Sequence, residues 1–146
     1  EARENGYTQV LWLDAVERRY IEEVGSMNIF FVIDDIIVTP MLTGSILPGI
    51  TRMSVIELGK HWGLHVEERR ITIDEVLKGL EDGSVTEVFG AGTAAVISPV
   101  SILAYKGKDF KVGNEETGPV AMRFYDHLTG IQYGRESDPF GWLDII

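Results

Sequence analysis

Glu87-Val88-Phe89-Gly90-Ala91-Gly92-Thr93-Ala94-Ala95-Val96 is the stretch on which the reading of the fold turns. An apolar run enters two glycines and a threonine and continues in small residues. That pattern predicts a strand that ends and a short helix that begins with Thr93 in the capping region. Such a junction exposes backbone N–H groups, and its glycines let a ligand approach the main chain, so a phosphate or carboxylate is the natural guest. A Gly-x-Gly turn between ordinary elements fits the same residues. Taken by itself the stretch leaves both readings open.

The rest of the chain narrows the guest. The chain has 146 residues, 45% of them hydrophobic, with 16 glycines, which is enough for one folded domain with a sizeable core. A net charge of −10 opposes non-specific binding to nucleic acid or an anionic membrane surface. A small-molecule ligand is expected instead, with neither nucleic acid nor membrane as partner. The absence of cysteine excludes disulfides, thiol catalysis and thiolate-bound metal and suits a reducing, cytoplasmic setting. Every apolar run is too short to cross a bilayer as a helix. Glu1-Ala2-Arg3-Glu4-Asn5-Gly6 reads as the end of a helix closed by glycine, so the chain is expected to begin inside a larger protein.

Moving outward from the central stretch, Gln9–Asp14 and Tyr20–Val24 predict a hairpin across a polar turn. Strict alternation along the second strand would put Ile21 and Glu23 on one face, sending a carboxylate inward. There it needs a donor, a cation or a ligand. Asn28–Ile33 and Ile36–Thr39 form a second hairpin across Asp34-Asp35, which Pro40 ends. The loop Leu42-Thr43-Gly44-Ser45-Ile46-Leu47-Pro48-Gly49 carries no charge, so Ile46 and Leu47 are expected to pack against neighbouring chain or a flat ligand. It feeds a helix over Ile50–Trp62 that Gly63 closes, and Ile50-Thr51 sit where the free N–H groups of its first turn lie. A strand over Leu64–Ile71 and a capping box at Thr72-x-x-Glu75 follow. The capping box opens a short helix that stops between Gly79 and Gly83. Val85–Phe89 forms a strand, Val100–Tyr105 pairs with Phe110–Val112, and a last helix spans Pro119 to Thr129 with Ala121, Phe124 and Leu128 as its apolar stripe. The tail through Tyr133, Pro139 and Trp142 reads as irregular. One domain of mixed α and β character results.

His61, His65 and His127 show no metal-ligand spacing, and no nucleophile elbow, Walker loop or Rossmann fingerprint occurs in its required context. What remains is one inward carboxylate, two anion-ready backbone segments and an apolar loop between them. A ligand with a phosphate at one end, a flat ring and a ring nitrogen at the other would use all three, and pyridoxal 5'-phosphate has that shape.

Several separated motifs carry a resemblance over the whole chain. They are Gln9-Val10-Leu11-Trp12-Leu13, Glu23-Val24-Gly25-Ser26-Met27-Asn28, Ile46-Leu47-Pro48-Gly49-Ile50-Thr51-Arg52, the Glu87–Ala95 stretch and Gly130-Ile131-Gln132-Tyr133-Gly134. In this order they resemble the C-terminal domain of branched-chain amino-acid aminotransferases, fold-type IV pyridoxal-phosphate enzymes. The resemblance implies an α+β fold, a mixed β-sheet or pseudo-barrel domain with peripheral helices, occupying residues 1–146. It also implies transfer of the amino group of leucine, isoleucine or valine to 2-oxoglutarate through the cofactor. By the same resemblance Glu23 would engage the pyridine nitrogen, Leu47 the ring face, and Ile50, Thr51 and Thr93 the phosphate. Gly92, Thr93 and Ala94 would place an N–H near the substrate carboxylate, and Ser26 would border the side-chain pocket. Ala95 and Ser98 stand where some relatives carry a cysteine pair.

The family's Schiff-base lysine lies in a Lys-x-Gly-Gly-Asn-Tyr type motif upstream of the segment matching Glu1. None of Lys60, Lys78, Lys106, Lys108 or Lys111 has that context, so the resemblance implies that the lysine, a phosphate-binding arginine and an N-terminal domain lie outside this chain. No catalytic residue is therefore expected within it, and the chain alone should not transaminate. A homodimer is expected of the full-length enzyme. D-Amino-acid transaminases and aminodeoxychorismate lyase share these loops but match less of the chain. A catalytically silent module binding phosphate ligands or a partner domain is the rival of another class.

Overall fold

The computed structural model describes residues 9–135 and Asp138. The helix end expected over Glu1–Gly6 and the tail at Pro139 and Trp142 lie outside the described residues. The elements run β1 (Leu11–Leu13), β2 (Ile21–Val24), β3 (Met27–Ile33), β4 (Ile36–Pro40), α1 (Ile50–His61), β5 (Val66–Arg69), α2 (Ile73–Asp82), β6 (Val85–Gly92), β7 (Val96–Pro99), β8 (Ile102–Tyr105), β9 (Lys108–Lys111) and α3 (Pro119–Gln132). This is the expected α+β architecture: a mixed seven-stranded sheet, a separate β8–β9 hairpin and helices outside. Helix α3 runs one turn past the expected stop at Thr129.

The central stretch departs from expectation. Residues 93–95 form a turn joining β6 to β7, which pair antiparallel with Gly92 opposite Val96 and Ala91 opposite Ile97. No helix starts at Thr93. The β-branched pair Val96-Ile97 after the two alanines resumes a strand, because branched side chains pack better on a pleated surface than in a helical turn.

Strand β3 is the spine of the sheet. Along one edge β6 pairs with it from Asn28 to Ile33. Along the other edge two strands share it, β2 at its start and β4 at its end. Where β2 has diverged and β4 has not yet joined, the Ile29 carbonyl accepts a 2.7 Å hydrogen bond from Thr39 Oγ1. Pro40 has no N–H to give β3, and the β3–β4 register stops before it, as expected, although Pro40 pairs with Arg69 of parallel β5. The chain leaves this fork as the 41–49 loop.

Both faces of β3 are covered, which is why Asn28 to Val32 are all buried. Ile29 and Phe31 join Ile21, Val24, Val88, Ile73 of α2 and Leu103 of β8 in one apolar cluster. Phe30 and Val32 join Phe89, Ala91, Val55 of α1 and Phe124 of α3 in the other. Phe30 stacks on Phe89 at 5.4 Å between centroids. The capping box at Thr72 is half made: Thr72 Oγ1 accepts from Glu75 N at 3.1 Å, while the Glu75 carboxylate turns to Arg69 at 2.6 Å.

The β1–β2 turn is built on Asp14. Its carboxylate accepts from the N–H groups of Glu17 (2.6 Å), Arg19 (2.9 Å) and Tyr20 (2.8 Å). The Tyr20 bond, with those of Glu17 and Arg19, outweighs burial and holds the pKa down at about 2 against an ordinary 3.8. A carboxyl depressed on folding stabilises the fold above its unfolded pKa and loses that contribution as pH falls through the folded value. Asp14→Ala is therefore expected to melt below the wild type at pH 7, with the gap closing as the pH falls from 3.8 to about 2, as thermal unfolding monitored by circular dichroism at stepped pH would show.

Candidate functional site

The site begins with a departure from strand alternation. Trp12 pairs with Glu23 but the next residue, Leu13, pairs with Ile21, which leaves Glu22 as an extra residue in a β-bulge. A bulge re-aims the side chains that follow it. Ile21 and Val24 thus share the core cluster with α2, and the expectation that Ile21 and Glu23 face the same way is overturned. Glu23 lies opposite Asn28, which lies opposite Ala91. Partners directly across antiparallel strands share a face, so all three belong to the face covered by α1 and α3, where Ala91 is packed.

On that face the 41–49 loop is fastened to β2 and β3. Ser45 Oγ donates to Glu22 Oε2 and lies 3.1 Å from Thr43 Oγ1. The Leu47 C=O accepts from Asn28 Nδ2 at 2.9 Å, and its N–H lies close enough to the Glu23 carboxylate to lower that group's pKa. Ile46 is buried at 6% exposure, whereas the Leu47 side chain is 69% exposed. Of the two residues expected to find packing partners, one finds them within the chain and the other points outward.

Desolvation raises the Glu23 pKa above the ordinary 4.5; the Leu47 N–H works against the rise, and the neighbouring Glu22 charge adds to it. A half-buried carboxylate in this condition gains from a cationic partner.

Two residues after Leu47, Gly49 starts α1 as its N-cap, with extended backbone, no side-chain cap and no acid in the first turn. The leading N–H groups, at Ile50 and Thr51, are therefore not taken by a side-chain cap, and Ile50 is 79% exposed. The buried Arg52 guanidinium pins this turn to the strand ends, Nη2 reaching Pro40 O at 3.1 Å and Glu68 Oε1 at 2.7 Å.

The register brings the remaining candidates to the same end of the sheet. Because Asn28 faces Ala91, the β2–β3 turn with Ser26 lies beside the β6–β7 turn with Thr93 and Ala94. Ser26, Thr93 and Ala94 are exposed. The glycines of the central stretch make room for Met27: a Cβ on Gly92 would meet Met27 Cγ at 2.8 Å, and one on Gly90 the Met27 thioether at 3.0 Å. Met27 fills the side-chain space they leave. Beyond the turn, a cleft of about 740 Å³ runs between Thr93–Val96 and the C-terminal part of α3, including Tyr125, Thr129, Gly130 and Gln132.

Three polar residues of this face escaped the sequence reading. Asn28 and Arg52 fasten the loop and the helix, and Glu87 (6% exposed) accepts from Val120 N at 3.1 Å and Ala121 N at 2.9 Å, capping α3. For Asn28 and Glu87 the usable signal was a polar residue in register with Phe30, Val32 and Phe89 on a strand that is otherwise apolar; Arg52, on α1, carried none. His65 pairs with Glu67 at 3.2 Å and His127 stands edge-on to Trp62. Among the described residues no group of three or more potential ligands could hold a metal ion.

The chain is 60% identical over 145 residues to branched-chain-amino-acid aminotransferase 2 of Bacillus subtilis, spanning 99% of this chain and 40% of that protein. It is 53% identical over 147 residues to a branched-chain-amino-acid aminotransferase of Mycobacterium tuberculosis, again 40% of that protein. The crystal structure of the Escherichia coli branched-chain amino acid aminotransferase superposes with a TM-score of 0.82 at 38% identity, covering 98% of this chain and 43% of that one. The T.th. branched-chain amino acid aminotransferase complexed with N-(5'-phosphopyridoxyl)-L-glutamate does so with a TM-score of 0.82 at 34% identity, covering 97% and 43%. The chain thus spans about 40% of the length of the curated relatives it matches. The family model described as amino-transferase class IV matches residues 1–103, the span holding Glu23, Leu47, the α1 start and the Thr93 turn, and the chain belongs to that family.

Proposed function

We propose that this chain is the C-terminal, cofactor-binding domain of a pyridoxal-phosphate-dependent branched-chain aminotransferase, which moves the amino group of leucine, isoleucine or valine to 2-oxoglutarate in two half-reactions. The observation that carries this reading is the anchoring of the Leu47 loop beside Glu23 by Asn28. One loop links a desolvated carboxylate, an outward apolar side chain and a helix start without a side-chain cap. The structures of the T.th. enzyme support it, being complexes with N-(5'-phosphopyridoxyl)-L-glutamate, with pyridoxamine 5'-phosphate and with 4-methylvaleric acid, a branched aliphatic acid.

The residues fit pyridoxal phosphate. Glu23 gains from a positively charged neighbour and would hold a proton on the pyridine nitrogen. Leu47, exposed on the same loop, would pack on a ring face. The Ile50 and Thr51 amides, backed by the α1 dipole, would hold the phosphate with the Thr93 hydroxyl. Since no helix starts at Thr93, its contribution would be a hydroxyl and turn amides. Gly92 and Ala94 would present backbone N–H to the substrate carboxylate, and Ser26, on the adjoining turn, would border the side-chain pocket. The bound cofactor supplies an electron sink for the substrate's α-carbon; the chain's residues bind, orient and keep the ring nitrogen protonated. The activating lysine and an N-terminal domain would come from the part of the relatives this chain does not span, and the complete enzyme would be a cytoplasmic homodimer.

The test uses the full-length protein that carries this chain, loaded with pyridoxal phosphate. Glutamate formation from 2-oxoglutarate is followed with leucine, isoleucine, valine or D-alanine as donor, and aminodeoxychorismate cleavage is assayed separately. Turnover with the three branched donors and little with the others is expected. Preference for D-alanine, lyase activity alone, or cofactor binding without turnover on any of them would overturn the reading.

A further inference from the structure

We infer that Asn28 is a positioning residue that fixes the carboxylate for the ring nitrogen relative to the phosphate-binding helix start, an inference that rests on the cofactor reading above. Asn28 is 6% exposed and sits in register between Glu23 on β2 and Ala91 on β6. Its amide works at both ends. Nδ2 donates to the Leu47 carbonyl at 2.9 Å, and Oδ1 fills the place of the missing side chain of Gly49, where a Cβ would come within 2.4 Å of it. One side chain therefore stands across from Glu23 and touches both Leu47 and Gly49, the residue that caps α1.

Only an amide of this length does both. Aspartate keeps the volume but cannot donate to Leu47 and adds a charge opposite Glu23. Serine keeps a donor but falls short of the loop. Thr39 provides the comparison: it is buried on the neighbouring strand, and its hydroxyl bonds to Ile29 O within the sheet. Loss of the Thr39 bond weakens the fold without touching the loop.

The experiment uses the full-length holoenzyme with Asn28→Asp, Asn28→Ser and Thr39→Val. It reads the pyridoxal phosphate dissociation constant, the pH dependence of the bound cofactor's visible absorbance, and the melting temperature of the cofactor-free form. Both Asn28 variants are expected to weaken cofactor binding roughly tenfold, the loss of about one hydrogen bond, and to shift the absorbance pH profile. Thr39→Val is expected to lower the melting temperature while leaving affinity and profile unchanged. Wild-type affinity and profile in both Asn28 variants would overturn the inference, as would an equal loss in Thr39→Val. Should one Asn28 variant fail to fold, the other decides on the same readouts. A wild type that binds no pyridoxal phosphate would instead overturn the cofactor reading itself.

Discussion

Glu23→Gln in the full-length enzyme is expected to lower kcat for leucine by roughly a hundredfold or more, the range of a lost acid–base group, with the fold retained. Glutamine preserves length and can still accept the Leu47 N–H, so the loop anchoring survives while the negative charge that keeps the ring nitrogen protonated does not. The same variant has a stability signature of the opposite sign. Burial raises the Glu23 pKa above 4.5. Below 4.5 the carboxyl is protonated in both folded and unfolded chains and makes no difference. Above the folded pKa the folded chain bears the cost of a desolvated charge. Cofactor-free Glu23→Gln is thus expected to melt above the wild type at pH 7, with the gain vanishing as the pH falls below 4.5. Steady-state kinetics and thermal melts at stepped pH check the two halves separately. Unchanged kcat would refute the catalytic role even if the stability gain appeared.

Glu87→Ala is expected to carry the largest stability loss, roughly 2 to 4 kcal/mol, as two bonds to a buried charged acceptor are lost and their donors left dry. Glu87 reaches from β6 to the first N–H groups of α3, which have no side-chain cap of their own. The close approach also explains Gly118, where a Cβ would collide with the Glu87 carboxyl. Because α3 forms one wall of the cleft beyond Thr93, loosening its start is expected to raise KM as well. Urea denaturation gives the first number and substrate titration the second. A loss below about 0.5 kcal/mol, the level of an ordinary surface change, would show that water replaces the carboxylate.

Much of the fold was legible because it rests on short-range signals. Continuous apolar runs marked β3 and β6, Pro40 marked the end of the β3–β4 register, and Gly63 marked the end of α1. The errors arose where tertiary contacts decide. Nothing local shows that Glu22 is bulged, since the insertion is defined only by its partner strand, and one extra residue reversed the predicted facing of Glu23. Glu23 is nonetheless half-buried with its pKa raised, on the face opposite the one that alternation implied. Residues 93–95 carried small side chains compatible with a helix start or a turn, and the pairing of Val96 with Gly92 decided between them. The side-chain space that the glycines before Thr93 leave is filled by Met27, far earlier in the chain, a contact no local pattern shows. Asn28 was hidden for a related reason: an amide on an apolar strand has no motif, and its purpose appears only when the loop from Leu47 to Gly49 folds over it.

The most direct measurement is a crystal structure of the full-length enzyme bearing pyridoxal phosphate. The expected result has a Glu23 carboxylate oxygen within about 3 Å of the pyridine nitrogen. It also has the phosphate on the Ile50 and Thr51 amides and the Thr93 hydroxyl, and Leu47 against the ring. A phosphate seated away from the start of α1, or a ring nitrogen out of hydrogen-bond reach of Glu23, would contradict it.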